Sequence, residues 1–529
     1  MKFKTLVFLA GCFLIGGFAL FLGQMIISVY PAITHDTSVY LNAAYNLALG
    51  KGLQIDMTLT TMQESSRHYC DYMPGFPAFL SMFLRLGIPE GVLLKGIILT
   101  GILTMVYLGI WLMWEWTHRL FSSLVTGLLL LLFPPLINFM TYALTESLYL
   151  PLTLGLFLGL TIYFQKKSPS LKDFLLLFIL MAAIPLIRIV GLLLVGIAGS
   201  VMLIRSLSQQ ERKRAMMEMV VVLTSQIPTL LVLTENYLKT GRFYCATNSA
   251  GWEIERTTRG YLAQLLLEQF KPDLSLGLGF RRAFSALPSE IVIGLVILGL
   301  IVGGIIIWKT RSRIRKGFES WASPSVIPVI FYLAGYVGFL FLFGNSWAMW
   351  DFPRYFLPAY PFILLLVVFL VDSFLQSWKH FIPQGLLYLS LVLLVVAYGQ
   401  MTFRKLPEMI TGRGIESAPI KDHPVLTYLQ RNLQPSDLLL STREPTLWYY
   451  LRRPVRRVQR IENLSCKDLQ KPPPNGRMFF VLFPEGNYKG EPTSPENEAW
   501  FHNWISPCGT IIEHQNFNET AVYVVDFPE

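Results

Sequence analysis

Four ionisable residues stand where apolar stretches begin, end or turn: Asp36, Glu146, Arg188 and Arg354. Asp36 lies just beyond the first hydrophobic run, in His35-Asp36-Thr37, Glu146 opens a later run in Thr145-Glu146-Ser147, and Arg188 separates two runs in Ile187-Arg188-Ile189. A charge beside hydrocarbon is costly unless paired or wetted, so such residues mark a site by default. A carboxylate near the membrane surface can take a proton from a hydroxyl, and arginines offer planar, permanently charged donors to a phosphate. Groups of these two kinds side by side could move a proton and hold an anion at the membrane surface. The plainer readings are that Asp36 caps the helix after it and that a single arginine at a helix end snorkels to the interface. Lys51, with Arg67 behind it, is a further cation for a phosphate or for anionic headgroups.

The elements that must position these groups are membrane spans. Over 529 residues, 53% are hydrophobic and 15% charged, and the mean hydropathy is +0.48. A soluble chain of this composition would expose far too much apolar surface, so this is an integral membrane protein. Lys2 and Lys4 precede an apolar run from Thr5 to Ser28 that is too long for a signal peptide and has no small-residue cleavage site, so it stays as the first span. Further runs lie at about 92–113, 121–141, 146–164, 173–187, 189–204, 216–234, 289–308, 324–343, 357–376 and 385–402. Phe133-Pro134-Pro135 interrupts one of them. Between the first two spans, His35 to Gly52 reads as a short amphipathic helix (Val39, Tyr40, Ala43, Ala44, Leu47) lying in the membrane interface and ending at Gly50 and Gly52.

Short loops set the orientation. Arg119, Lys166, Lys167, Lys172, Arg205, Arg212, Lys213, Arg214, Lys309, Arg311, Arg313 and Lys379 fall on the side of Lys2, which the positive-inside rule makes cytoplasmic. The net charge of +10 is therefore topological and calls for no nucleic acid. Residues 1–402 form the transmembrane module. From about Phe403 the apolar runs shrink to strand length (Leu438 to Ser441, Met478 to Phe483, Ala521 to Phe527), with helices expected over Pro424 to Leu433 and Ser494 to Ile505. Residues 403–529 thus read as a small extracytoplasmic α/β domain. In an oxidising compartment Cys466 pairs with Cys508 and Cys70 with Cys245, or all four stay free thiols. The run Arg452, Arg453, Arg456, Arg457 and Arg460 reads as a solvated surface or as a contact for anionic groups.

Several loose motifs share one order. Asp36 with Tyr40, Ala44 and Leu47 leads to Gly50-Lys51-Gly52; then come Tyr72-Met73-Pro74-Gly75-Phe76-Pro77, Thr145-Glu146-Ser147, Arg188, and Pro353-Arg354-Tyr355 with Pro358 and Pro361. Over most of the first 360 residues this resembles the polytopic GT-C fold glycosyltransferases that use polyprenyl-phosphate sugars, in particular the protein mannosyltransferase and aminoarabinose transferase group (glycosyltransferase family 39-like). The resemblance implies an α-helical polytopic membrane protein of about 11 transmembrane helices with a small α/β domain outside. It implies Asp36 as general base, Arg188, Arg354 and Lys51 as donor-phosphate ligands, and Tyr40, Tyr72 and Tyr355 as substrate-positioning residues. Protein mannosyltransferases tend to carry an Asp-Glu pair where this chain has His35-Asp36-Thr37, which leaves the second acidic role to Glu146 or Glu64 and puts a protein acceptor in doubt.

The expected partners are a polyprenyl-phosphate-linked sugar donor, membrane lipids and an acceptor the sequence does not specify; no metal or cofactor is expected. There is no ligand spacing for a metal, no glycine-rich phosphate loop and no serine nucleophile elbow. Trp347, Trp350 and Phe352 suit an interfacial belt or a sugar platform. A lipid or saccharide transporter is the alternative, but it would place charges near the bilayer midplane and often shows repeated halves. Orientation is directly testable: a reporter active only in the cytoplasm, fused after Glu529, should stay silent, and a signal from it would reverse the topology.

Overall fold

The computed structural model describes residues 2–28, 32–59, 66–245, 325–343, 352–377, 381–410, 421–457, 476–483, 501, 503, 505–517 and 520–526. The helices are α1 (Lys2–Ile26), α2 (His35–Ala48), α3 (Gly75–Arg85), α4 (Glu90–Thr117), α5 (Leu120–Leu132), α6 (Pro134–Met140), α7 (Glu146–Gln165), α8 (Leu171–Ile187), α9 (Gly191–Ser208), α10 (Arg212–Ser225) and α11 (Ile227–Thr240). They continue with α12 (Ile327–Phe343), α13 (Phe352–Phe356), α14 (Tyr360–Ser377), α15 (Phe381–Ile410), α16 (Pro424–Asn432) and α17 (Glu444–Leu451). Among the described residues six helices are long and apolar enough to cross a membrane, and the bent pair α5–α6 makes a seventh. The chain is a multi-pass membrane protein. The span expected at 289–308, Trp347, Trp350 and Glu64 lie outside the described residues.

The chain divides into two compact units, Met1–Ser28 with Gly96–Val232 and Thr247–Ile410, and Val29–Lys95 with Leu233–Ala246 and Thr411–Glu529. In the first unit, proline decides where helices bend and what must compensate. Phe133-Pro134-Pro135 breaks the third apolar run into α5 and α6 at an angle of 60°. The Leu132 carbonyl at that break accepts a hydrogen bond from the buried Thr402 hydroxyl of α15 at 2.8 Å. Pro185 in α8 has no N–H to give to the Met181 carbonyl, and the Gln226 side-chain amide donates to it at 3.4 Å instead. Pro151 in α7 likewise deprives the Ser147 carbonyl of its helical donor. That oxygen lies against α4 so closely that a Cβ at Gly101 would stand 2.5 Å from it. Aromatic contacts fill the space between spans, with Phe157 of α7 against Tyr332 of α12 at 5.6 Å and Phe362 of α14 at 4.7 Å between ring centres.

The second unit carries a six-stranded sheet ordered β2-β5-β4-β6-β8-β7, built from β2 (Met57–Leu59), β4 (Leu438–Ser441), β5 (Val455–Arg457), β6 (Met478–Leu482), β7 (Thr510–Phe517) and β8 (Thr520–Asp526). β2, β5, β4 and β6 run parallel; β6, β8 and β7 run antiparallel. The strands expected near 438, 478 and 521 are all present, and α16 matches the helix expected from Pro424; the one expected over 494–505 lies largely outside the described residues. One face packs Leu440, Met478, Phe480, Tyr523 and Val525 against Phe501 and Ile505. The edge strand β2 comes from the loop after α2, some four hundred residues before β5 in sequence. A two-stranded antiparallel pair, β1 (Gln54–Ile55) with β3 (Arg67–His68), folds that loop back on itself. Cys70 and Cys245 form a disulfide, with Cα atoms 5.1 Å apart. Cys508 is also disulfide-bonded; Cys466, expected opposite it, lies outside the described residues.

Gly101 gives a local test of this packing. A Gly101→Val side chain must displace backbone rather than a flexible side-chain end, so the variant should lose about 1–3 kcal/mol of stability. Thermal unfolding in detergent reads this, with Gly96→Val, where a Cβ meets nothing within 4 Å, as the control.

Candidate active site

Asp36 is the second residue of α2, and it is not the cap. Thr34 caps the helix, its hydroxyl accepting from the Thr37 N–H at 3.2 Å while the Thr37 hydroxyl accepts from the Thr34 N–H at 3.1 Å. Asp36 therefore points elsewhere, and its Oδ1 accepts a hydrogen bond from the Tyr72 hydroxyl at 2.6 Å. Tyr72 lies in the turn that leads through Pro74 into α3. Its ring stands edge-on to Tyr40 at 5.1 Å, and Tyr40 in turn meets Phe76 at 5.3 Å. Asp36 retains 16% side-chain exposure above this aromatic floor, enough to meet a ligand.

The expectation of an amphipathic α2 with one exposed polar face is corrected by its burial, in which polar Thr37, Ser38, Asn42 and Asn46 are buried along with Val39, Tyr40, Leu41, Ala43 and Ala44. The asparagines make this possible. Asn42 Oδ1 accepts from the Asn46 amide at 3.0 Å and from the Asp56 N–H at 3.0 Å, and Asn46 also donates to the Gln54 carbonyl at 3.1 Å. The helix ends as expected, with Gly50 and Gly52 at φ of +77° and +88°, a conformation costly for other residues.

The loop that carries Tyr72 is held on several sides. The Cys70–Cys245 disulfide and the Cys245 N–H to Cys70 carbonyl bond at 2.9 Å fix it to the segment after α11, and His68 meets Asn236 at 2.8 Å. Arg67, a candidate phosphate ligand from sequence, pairs with Asp71 and donates to the Met57 carbonyl. Tyr69 is fully buried beside them. Burial, then the neighbouring Tyr40, Tyr244, Asp71 and Asp36, pushes its hydroxyl well above the ordinary tyrosine value, so it remains a proton donor. Lys51 is exposed in the turn after α2.

Glu146, Arg188 and Arg354 come together in the first unit. Glu146 opens α7, Arg188 terminates α8 in extended backbone (φ −144°, ψ 130°), and Arg354 lies in α13. Glu146 has no exposed surface; its Oε1 accepts from Arg188 Nη1 at 2.5 Å and from Arg354 Nε at 3.2 Å, and its Oε2 from the Thr145 hydroxyl at 3.1 Å. The arginine side chains keep 18% and 19% exposure. Two guanidinium groups around one carboxylate give the trio a formal charge of +1, suited to an anionic ligand. Arg188 also faces the Tyr149 ring, 5.7 Å from its centre. Tyr355 follows Arg354, and its carbonyl accepts from the Tyr336 hydroxyl at 2.6 Å, which ties α13 to α12. These charges lie at helix ends, as read from the sequence.

Other buried acids went unremarked in the sequence. Asp372 accepts from the Ser122 hydroxyl at 2.6 Å with Arg119 at 3.6 Å, and Glu218 accepts from Tyr163 at 2.6 Å, Ser206 at 2.8 Å and Arg214 at 3.2 Å. Their signal was a lone acid within an apolar run. The basic run after α17 is corrected as well. Arg452, 39% exposed, pairs with Glu90 at 2.8 Å, Arg453 donates to the Gln434 carbonyl at 2.5 Å, and Arg456 is 5% exposed, so the run is tied to its neighbours and only in part solvated. Arg460 lies outside the described residues.

No protein-family model matches the sequence, and no curated protein matches it. Solved structures do. ArnT from Cupriavidus metallidurans in the apo state aligns over 99% of this chain and 98% of its own, with a TM-score of 0.59 at 12% identity. The chain has the GT-C fold. ArnT bound to undecaprenyl phosphate gives a TM-score of 0.57 at 12% identity over the same shares. The archaeal oligosaccharyltransferase AglB from Archaeoglobus fulgidus, in complex with an inhibitory peptide and a dolichol-phosphate, gives 0.58 at 10% identity over 99% of this chain and 74% of its own. At such identities it is the GT-C architecture that is shared, and the residues on it must be argued from their own geometry.

Glu146 should be indispensable to that geometry. Glu146→Gln leaves two guanidinium groups against each other without their shared anion, and about 3–5 kcal/mol of stability should be lost. A thermal unfolding midpoint equal to wild type would show that the trio is not a buried ion cluster.

Proposed function

We propose that the protein is an integral membrane glycosyltransferase that moves a sugar from a polyprenyl-phosphate-linked donor to a lipid, glycan or protein acceptor. The reaction takes place on the extracytoplasmic face of the plasma or inner membrane, with the N-terminus in the cytoplasm and the C-terminal domain outside. The observation that carries this reading is the state of Asp36: a half-sequestered carboxylate, excused from capping by Thr34 and aimed by the Tyr72 hydroxyl, on a GT-C fold. That ArnT and AglB structures hold undecaprenyl phosphate and dolichol-phosphate supports a polyprenyl carrier.

The roles follow from the chemistry. Transfer passes through an oxocarbenium-like state in which the anomeric carbon loses its phosphate and gains the acceptor oxygen. Asp36 takes the acceptor proton as the bond forms. Arg188 and Arg354 meet the charge left on the phosphate, with Lys51 as an auxiliary cation at the membrane surface. Glu146 is a positioning residue rather than a second base, because a carboxylate shared by two guanidinium groups has little tendency to take a proton. Tyr72 holds Asp36, Tyr40 supports Tyr72, and Tyr355 holds the segment of Arg354. A transporter without transferase activity is the second reading, and the position of the charges at helix ends disfavours it.

Purified protein in liposomes with radiolabelled polyprenyl-phosphate sugars separates the two, since a transferase gives product and a transporter gives vectorial movement. Mass spectrometry of the product across a donor panel identifies the sugar. Asp36→Asn keeps the size and the Tyr72 contact while removing the proton acceptor, so turnover should fall by about two to four orders of magnitude with donor binding little changed. Arg354→Ala should instead weaken donor binding. A folded Asp36→Asn protein with near-normal turnover would remove Asp36 from the mechanism.

A further inference from the structure

The residue beside Asp36 faces two carboxylates. His35 Nδ1 lies 3.8 Å from Asp36 Oδ1, and its Nε2 lies 3.8 Å from Glu444 Oε1. The imidazole is about half exposed, at 53% of its side chain, whereas Asp36 and Glu444 keep 16% and 9%. Glu444 belongs to α17, more than four hundred residues further along the chain, and sequence reasoning had no reason to pair it with the first loop.

The contact is built, because α17 is fastened to α2 by more than this pair. Tyr45 of α2 and Arg452 at the end of α17 converge on Glu90, the tyrosine hydroxyl donating to Oε2 at 3.0 Å and the guanidinium at 2.8 Å. Arg452 adopts a left-handed backbone (φ 52°), and its guanidinium lies over the rings of Tyr45, Trp448 and Tyr449 at 5.3, 4.7 and 4.9 Å. The parallel pairing of β2 with β5 holds the same two segments in register, Met57 opposite Val455.

We infer that Glu444 is a positioning residue for the transfer reaction, acting through His35 on Asp36. This rests on Asp36 as the base. The Asp36 oxygen that faces Nδ1 already accepts from Tyr72, which weakens it as an acceptor, so Glu444 is the stronger of the two facing carboxylates: it keeps the imidazole proton on Nε2, and the lone pair of Nδ1 is turned to Asp36. Both separations exceed hydrogen-bonding distance by less than 1 Å, and a small side-chain rotation closes them. In the reaction the acceptor O–H breaks as its oxygen bonds to the anomeric carbon, and the electron pair of the broken C–O bond leaves with the phosphate. The proton passes to Asp36, from there to Nδ1 of His35, and the exposed imidazolium releases it to water. Glu444 stabilises that imidazolium by a facing negative charge.

Among the described residues, several other charged and titratable groups on the elements around His35 have contacts of their own. Tyr72 is bonded to Asp36, Arg67 to Asp71, and Glu90 to Arg452 and Tyr45; Arg85 of α3 donates to the Leu47 carbonyl at 2.5 Å, at the far end of α2, and Arg443 stacks on the Phe483 ring at 5.5 Å.

The test uses the full-length protein with polyprenyl-phosphate mannose and polyprenyl-phosphate aminoarabinose, read as transfer to an added hydroxyl acceptor or to water across pH 5–9. Glu444→Gln should lower kcat about tenfold with KM for the donor unchanged, and should move the acid limb of the profile about one pH unit lower, the order produced by loss of one facing charge. His35→Gln should abolish that limb, and adding Glu444→Gln to it should change nothing more. Independently of turnover, the 15N shifts of His35, assigned by their loss in His35→Gln, should report protonation at Nε2 in the wild type and a mixture of tautomers in Glu444→Gln. An inactive Asp36→Asn, with unaltered pH profiles in the other two variants and unaltered His35 15N shifts in Glu444→Gln, overturns this inference alone. An active Asp36→Asn overturns the base on which it rests. If Glu444→Gln does not fold, His35→Gln and the wild-type tautomer decide the matter by themselves.

Discussion

A carboxylate with no exposed surface has to find its counter-charge inside the protein, and Glu146 finds two. Leaving it unpaired would cost several kcal/mol in a low-dielectric surround. Arg188 and Arg354, at the end of α8 and in α13, are therefore bound to the start of α7 as firmly as any packing contact could bind them. The cost of burying the acid is offset by holding the arginines, whose side chains are thereby fixed in place. The helix ends of the first unit are organised by this one oxygen, Oε1, which accepts from both.

In the second unit the corresponding constraint is burial of a polar helix. α2 carries Thr37, Ser38, Asn42 and Asn46 inside, where the Asn42 carbonyl oxygen and the Asn46 amide are bonded to each other and to the backbone of the following loop. Fixing α2 this way fixes Asp36, and the capping threonines leave its carboxylate to Tyr72. The unit is assembled from separate stretches of chain, cross-linked by the Cys70–Cys245 disulfide and by the addition of β2 to the C-terminal sheet. The loop after α2 is thus built into the C-terminal sheet.

Much of this was legible beforehand. Apolar runs gave the membrane class and the positions of most described spans, because a stretch of about 20 apolar residues has few other uses. Alternation and length gave β4, β6, β8 and α16. The odd charges at run boundaries identified Asp36, Glu146, Arg188 and Arg354, since composition alone makes them conspicuous. Proline marked the break at Phe133-Pro134 through its missing N–H and its ring, although which hydroxyl would rescue the Leu132 carbonyl was not readable.

What the sequence by itself determined, then, is local: hydrophobic length, turn chemistry, and which residue types are out of place in hydrocarbon. Partnership was decided by the tertiary structure. Only the fold shows that Glu146 faces two arginines, that α2 is buried on polar and apolar faces alike, that Arg452 reaches Glu90 and that Arg456 is buried. Only the fold brings Glu444 to His35. The physical reason is that the energy of a charge depends on what lies within a few ångströms of it, and those neighbours come from segments hundreds of residues apart that no periodicity connects.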